Sequence, residues 1–178
     1  MARVRYIEKS EAAPGAVAVY EELEATGSHV LNPFKALAHS PRLLKDWWRM
    51  MKTLINDLEL DEQLRELVLL RLFKITGCEY CFKEHLRIAR RIEVPEEKIQ
   101  NIEDFRDHPA FNELERLVLQ YTETITAENR VDDEVFEALG KHLNEREIVE
   151  LTFCIANWTG LSHFIVPMAL ELEPTATQ

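Results

Sequence analysis

The sequence predicts an all-α fold, a single domain spanning 1–178 and built as a bundle of about eight helices. Three observations lead there. Apolar residues recur three and four apart in most segments, the repeat of a helix with one buried face. No stretch alternates with period two over a useful length. Five glycines in 178 residues leave little turn material for a many-stranded sheet. A chain of this length can bury roughly 70% of its unfolded surface, enough for a core without metal or disulfide staples.

Pro14 opens the first helix, which runs to about Thr26 with Val17, Tyr20 and Leu23 on one face and Gly27 closing it. A short piece follows over 33–39. Ser40-Pro41 then places an N-cap before a proline at the first helical position, starting a long helix to about Asn56 with Trp47, Met51 and Leu54 as its core stripe. Asp61 is the next N-cap. Leu64, Leu67, Val68, Leu72 and Ile75 lie at helical spacing behind it, and Leu69, Leu70 and Phe73 widen the apolar surface up to a break at Thr76-Gly77. A helix from Cys78 to about Ile92, a short one begun by Val94-Pro95, and a loop over 104–109 come next. Leu114, Leu117, Val118 and Tyr121 mark a helix over 111–127; Asp132 caps another to His142, and Asn144 caps the last long one.

A weak internal repeat accompanies these elements. Gln63 to Leu67 resembles Glu147 to Leu151, and Thr76-Gly77 resembles Thr159-Gly160, with Leu161 and Phe164 where the first copy has Cys78 and Cys81. Two similar helical hairpins about a pseudo-twofold axis and a chance match of two amphipathic helices both account for it.

The net charge is −11, with 21 Lys and Arg against 32 Asp and Glu, and the basic residues are scattered. Such a surface repels phosphate backbones and anionic lipid, which argues against nucleic acid and membrane as partners. Met1 to Ser10 carries Arg3, Arg5, Glu8 and Lys9 without an apolar run, so a cytoplasmic location is the expectation. Leu151 to Leu170 lacks Asp, Glu, Lys and Arg over a bilayer-spanning length. Asn157, Ser162, His163 and Pro167 within it, and acidic residues on both flanks, assign it to a buried core or interface helix.

The chemistry gathers elsewhere. Cys78, Cys81 and His85 stand at i, i+3 and i+7, so two sulfurs and an imidazole share one helix stripe. Two thiols at that spacing can close a disulfide with little backbone change. The break at Gly77 sets Cys78 at a helix N-terminus, where free amides and the macrodipole favour a thiolate. His85 is the natural proton acceptor, and Glu66, which interrupts the apolar run Leu64, Leu67, Val68 on the preceding helix, is the carboxylate to orient it. A lone C-x-x-C stands equally for a redox pair, a metal site or an accident; the phase of His85 and the placement of Glu66 favour the redox pair. Zinc held by Cys78, Cys81, His85 and Glu66 is the competing reading, although structural zinc usually takes its thiols from a turn.

Glu66-x11-Cys78-x2-Cys81-x3-His85 resembles the signature of the alkylhydroperoxidase D / carboxymuconolactone decarboxylase family, strongly over Asp61 to Arg91. The resemblance implies an all-helical, AhpD-like, homo-oligomeric enzyme, trimeric or hexameric, with peroxiredoxin-type antioxidant activity and no cofactor or metal. Cys81 would attack a small hydroperoxide to give a sulfenic acid, Cys78 would resolve it as a disulfide, and Glu66 and His85 would relay the proton. A thiol or protein reductant would reopen the disulfide. In the best-known branch a His precedes the second cysteine, where this chain has Tyr80, a poor proton shuttle near neutrality. The alternatives are a zinc-binding or non-catalytic oligomeric protein, and a decarboxylase or isomerase of the same family acting on a small acid through Glu66 and His85. Tyr80 and His163 are auxiliary candidates, His163 from the second hairpin with Trp158 and Asn157 beside it. Cys154 reads as a small buried hydrophobe. Glu21, Glu22 and Glu24 read as a solvated face, and His29, His39, His108 and His142 lie near helix ends or loops.

Overall fold

The computed structural model describes residues 1–27 and 29–173, and these are helical with no strand. Nine helices occur among them: α1 (Pro14–Ala25), α2 (Asn32–Leu37), α3 (Pro41–Asn56), α4 (Glu62–Thr76), α5 (Glu79–Arg91), α6 (Glu96–Gln100), α7 (Glu113–Glu128), α8 (Asp133–Leu139) and α9 (Glu145–Ile165). No helix among the described residues is long and apolar enough to cross a membrane.

The helix starts follow capping chemistry, with two adjustments. Asp61 accepts the Leu64 amide at 2.8 Å, as its position predicts. Asn112 and Asn144 each close a full capping box, with Glu115 and Glu147 as the reciprocal partners. The box at Asn112 starts α7 two residues later than the apolar pattern alone suggests. Ser40 and Asp132 occupy N-cap positions without a side-chain bond to the helix, and α8 stops at Leu139, short of His142.

Backbone contacts divide the described residues into two compact units, 58–166 forming one and those of 1–57 with 167–173 the other. In the latter, α1 and α2 pack on α3. Its α3 stripe is Leu44, Trp48, Met51 and Leu54, so Met51 and Leu54 lie where the spacing puts them, but Trp48 in place of Trp47 is the buried indole and Trp47 is only half-buried. Leu44, Trp48 and Met51 stand at i, i+4 and i+7, and Glu22 accepts the Trp48 indole N–H at 2.9 Å and the Lys52 ammonium at 2.6 Å. Glu22 is thereby a structural acceptor as well as a surface charge, and Lys52 and Trp48 hold its carboxyl below the usual range. Tyr20 of α1 donates to the Ile7 carbonyl at 2.9 Å, and Asn32 of α2 donates to the Glu171 carbonyl at 2.8 Å, tying each terminal segment of this unit to a helix.

The 58–166 unit is organised around α4, which packs against α5, α7 and α9. Nine of its residues, Leu64 to Leu70 with Leu72 and Phe73, are buried. A helix apolar on nearly every side belongs at the centre of its unit. Each fully buried Leu or Phe there contributes about 1.5–3 kcal/mol of transfer free energy, which is why α4 can also carry Arg65 and Glu66 inside. The second stretch of the sequence repeat behaves differently from the first: α9 runs unbroken through Gly160, so it is one continuous helix and not a hairpin.

Candidate active site

Gly77 ends α4 in the left-handed region at φ 66°, a conformation that an L side chain adopts only with strain. The turn makes Cys78 the N-cap of α5, and its sulfur accepts the Cys81 amide at 3.3 Å. Cys78 and Cys81 are joined as a disulfide, with Cα atoms 5.3 Å apart. Both cysteines are buried, Cys78 at 0% and Cys81 at 3% exposure.

One helical turn beyond Cys81, His85 meets the acid that the sequence assigns to it. Its Nδ1 lies 2.7 Å from Glu66 Oε2. Glu66 is 2% exposed, and its other oxygen lies 3.4 Å from the Arg65 guanidinium, also buried. A carboxylate this deep would be expensive without partners; an imidazole and a cation supply them.

The third wall comes from α9. The Trp158 indole N–H donates to His85 Nε2 at 3.1 Å, with the two rings edge-on, and Phe73 of α4 packs on the imidazole with ring centroids 4.9 Å apart. Indole has a donor and no acceptor, so Nε2 must carry the lone pair and Nδ1 the hydrogen, which donates to Glu66. A turn later, Ser162 donates to the Trp158 carbonyl at 2.9 Å, accepts from the Thr76 hydroxyl at 3.2 Å and lies 4.0 Å from Cys81 Sγ.

The structure thus pairs Glu66 with His85 and Cys78 with Cys81 on adjoining turns. Tyr80, between the two cysteines in sequence, is buried in the first turn of α5. His163 is exposed on α9, and its buried neighbour Ser162 is the residue that approaches Cys81. The periodicity of α9 carried that signal: Trp158, Ser162 and Ile165 fall at i, i+4 and i+7 on one buried face, from which His163 is turned away. Arg65 and Thr76 were also missed; a charge beside Glu66 in an apolar run was the available sign of the first. Cys154 is buried on α9, and burial pushes its thiol up to about 12. Among the described residues no three His, Cys, Asp or Glu side chains converge as metal ligands would.

Residues 41–124, which hold all four candidate residues, match the model of the Carboxymuconolactone decarboxylase family. An uncharacterised Bacillus subtilis (strain 168) protein, YdfG, is 27% identical over 103 residues, covering 55% of this chain and 70% of that one. Among solved structures, an uncharacterised peroxidase-related protein from Ralstonia eutropha JMP134, described as an alkylhydroperoxidase AhpD core, superposes with TM-score 0.82 at 19% identity over 97% of this chain and 92% of its own. The debrominase Bmp8, in a cysteine-to-alanine variant bound to 2,3,4-tribromopyrrole, superposes with TM-score 0.83 at 21% identity over 96% and 91%. At these identities the likeness of the two structures is one of fold.

Proposed function

We propose, for a chain whose residues 41–124 belong to the carboxymuconolactone decarboxylase family, that it is a dithiol oxidoreductase reducing small hydroperoxides through Cys81 and Cys78. The observation that carries this reading is the buried Glu66–His85 pair at 2.7 Å, one helical turn from a closed Cys78–Cys81 disulfide. An acid that fixes an imidazole beside a cycling thiol is what proton transfer during thiol oxidation requires.

The cycle balances with the groups named. The reduced Cys81 thiol gives its proton to His85, and the thiolate attacks the terminal peroxide oxygen. The O–O bond breaks, the alkoxide takes the proton as alcohol, and Cys81 becomes a sulfenic acid. Cys78 then attacks the Cys81 sulfur, water leaves, and the disulfide forms. Two electrons and two protons from an external thiol or dithiol protein restore the pair. Self-association belongs to the same proposal: Val149 and Phe153, exposed on α9, are apolar surface for it, and light scattering on the purified chain tests it.

The fold shared with Bmp8 favours one second substrate class, brominated aromatic rings. There the same dithiol would supply two electrons, a C–Br bond giving way to C–H with bromide released and the disulfide formed. One experiment serves both. The fully reduced protein is mixed with an organic hydroperoxide or with a bromopyrrole, and thiols and products are counted. Loss of two thiols per chain, with mass spectrometry locating the new bond at Cys78–Cys81 and alcohol formed in equal amount, is the expected result. Retention of both thiols under excess peroxide would sink the peroxide reading, and bromide release in its place would install the second.

A further inference from the structure

His85 has no ring nitrogen to spare. Nδ1 is bonded to Glu66 at 2.7 Å, and Nε2, the nitrogen that a base would use, receives the Trp158 indole N–H at 3.1 Å. Trp158 is 2% exposed, so water does not readily replace it there. If Nε2 took a proton, two N–H donors would face each other across a contact that now holds one donor and one acceptor. Proton transfer from Cys81 to His85 and retention of the indole bond therefore exclude each other.

From this geometry we infer that Trp158 is a positioning residue that acts as a brake on the site: it holds His85 as the neutral Nδ1–H tautomer and occupies Nε2 until the Cys81 proton displaces it. The inference rests on the reading of Cys78 and Cys81 as the cycling pair and adds to it a control on when the base is available. As the bond changes hands, the Cys81 S–H proton lands on Nε2, the hydrogen on Nδ1 stays there and keeps donating to Glu66, and the indole N–H is released from the imidazole. Ser162 ties the brake to the sulfur. It donates to the carbonyl of Trp158 itself and sits 4.0 Å from Cys81 Sγ, so one turn of α9 touches both the base and the nucleophile.

The titratable and charged groups around the imidazole come from all three packed helices. Helix α4 contributes Glu66 and its partner Arg65; α5 contributes Cys78 and Cys81; α9 contributes Cys154, whose thiol stays protonated because burial pushes it up to about 12.

The test uses the full chain, reduced, with Trp158 native, replaced as Trp158→Phe, and replaced by benzothienylalanine, which keeps the indole shape and lacks the N–H. Alkylation of Cys81 by iodoacetamide is followed by mass spectrometry from about pH 5 to 9, the range over which thiolate formation sets the rate. Release of the brake is expected to move the midpoint to lower pH in both variants, with alkylation roughly threefold to tenfold faster below the native midpoint, the worth of one hydrogen bond. An unchanged or higher midpoint in the benzothienylalanine protein overturns the inference, since that variant removes the donor and little else. Nitrogen-15 NMR of the native protein gives a second reading: an unprotonated Nε2 and a protonated Nδ1 on His85 are expected, and the reverse tautomer overturns the assignment. No peroxide enters either measurement, so failure of the peroxide reading and failure of the brake are separate results.

Discussion

Thr76-Gly77 and Thr159-Gly160 are the same dipeptide within one unit of the molecule, and the backbone treats them in opposite ways. At Gly77 the chain turns left-handed and α4 stops; at Gly160 the helix continues to Ile165. Glycine permits either outcome, so its neighbours decide. After Gly77 come Cys78, able to cap, and Glu79, an acid suited to a first turn. Around Gly160, Trp158, Ser162 and Ile165 form a buried face that a break would dismantle, and no acid follows to start a new helix. The consequence is chemical. The Cys78 sulfur receives a free amide of a helix N-terminus, that of Cys81, whereas Leu161 and Phe164 at the matching places in α9 lie inside a helix.

The largest effect that sharpens this contrast is on the sulfurs themselves. Cys81→Ser is expected to lower peroxide-dependent turnover at least about a thousandfold, since a hydroxyl oxygen forms neither the sulfenic acid nor the disulfide that carries the two electrons. Cys154→Ala, which removes the sulfur from the interior of α9, is expected to leave turnover within twofold or so of the native rate, because a thiol held protonated by burial takes no part. A steady-state peroxide assay run on both variants checks the pair, and equal losses would erase the distinction between the two sulfur environments. Glu66→Gln comes next. The amide oxygen can still accept the Nδ1–H, but the charge that supports a protonated ring is gone, and turnover is expected to fall on the order of a hundredfold. A bell-shaped pH–rate profile that keeps its shape in this variant would remove Glu66 from the relay.

The same contrast explains what the sequence made legible. The cysteine spacing and His85 are local, since one helix places all three, and Glu66 was found because a carboxylate in the apolar run Leu64, Leu67, Val68 has to be paired once buried. The helices, their prolines at the first turn and the Asp61 and Asn144 caps were readable for the same reason. What α9 brings was not. Trp158 and Ser162 reach His85 and Cys81 across 73 and 81 residues of chain, and each looks like ordinary core or polar filler in its own helix. His163, the more suggestive residue type, falls on the solvent side one position later. The burial of Trp48 in place of Trp47 was legible in Leu44, Trp48 and Met51 at i, i+4 and i+7, but the Glu22 carboxylate that receives its indole N–H comes from another helix.

The two glycines give a smaller effect with opposite signs. A Cβ at either position meets no atom within 4 Å, so sterics against neighbours are not at issue. At Gly77 an alanine would hold φ near +66°, which costs about 1–2 kcal/mol of stability, and the resulting shift of the turn should slow disulfide closure. At Gly160 the alanine sits inside a helix and is expected to gain roughly 0.5–1 kcal/mol. Urea midpoints for the two single variants measure both, and a stabilising Gly77→Ala would mean that the turn does not need its left-handed residue.

The smallest expected effect concerns pH and returns to the sulfur buried in α9. Burial pushes Cys154 from its ordinary 9.0 up to about 12, so the folded chain keeps a proton there that the unfolded chain gives up. The sign follows: the contribution to stability is fully present below pH 9.0, declines as the unfolded thiol ionises, and is gone once pH has risen through about 12. Tyr20, in the other unit, behaves alike over a narrower window, raised by burial from 10.0 to about 12. Cys154→Ala is therefore expected to cost roughly 1 kcal/mol near neutrality, where it removes a packed side chain. Between pH 9 and 10 it should flatten the alkaline fall in stability, leaving the steeper Tyr20 portion above pH 10 in place. Denaturant midpoints measured at closely spaced alkaline pH resolve the two, and an unaltered slope between 9 and 10 would show that the Cys154 thiol ionises in the folded chain as readily as in the unfolded one.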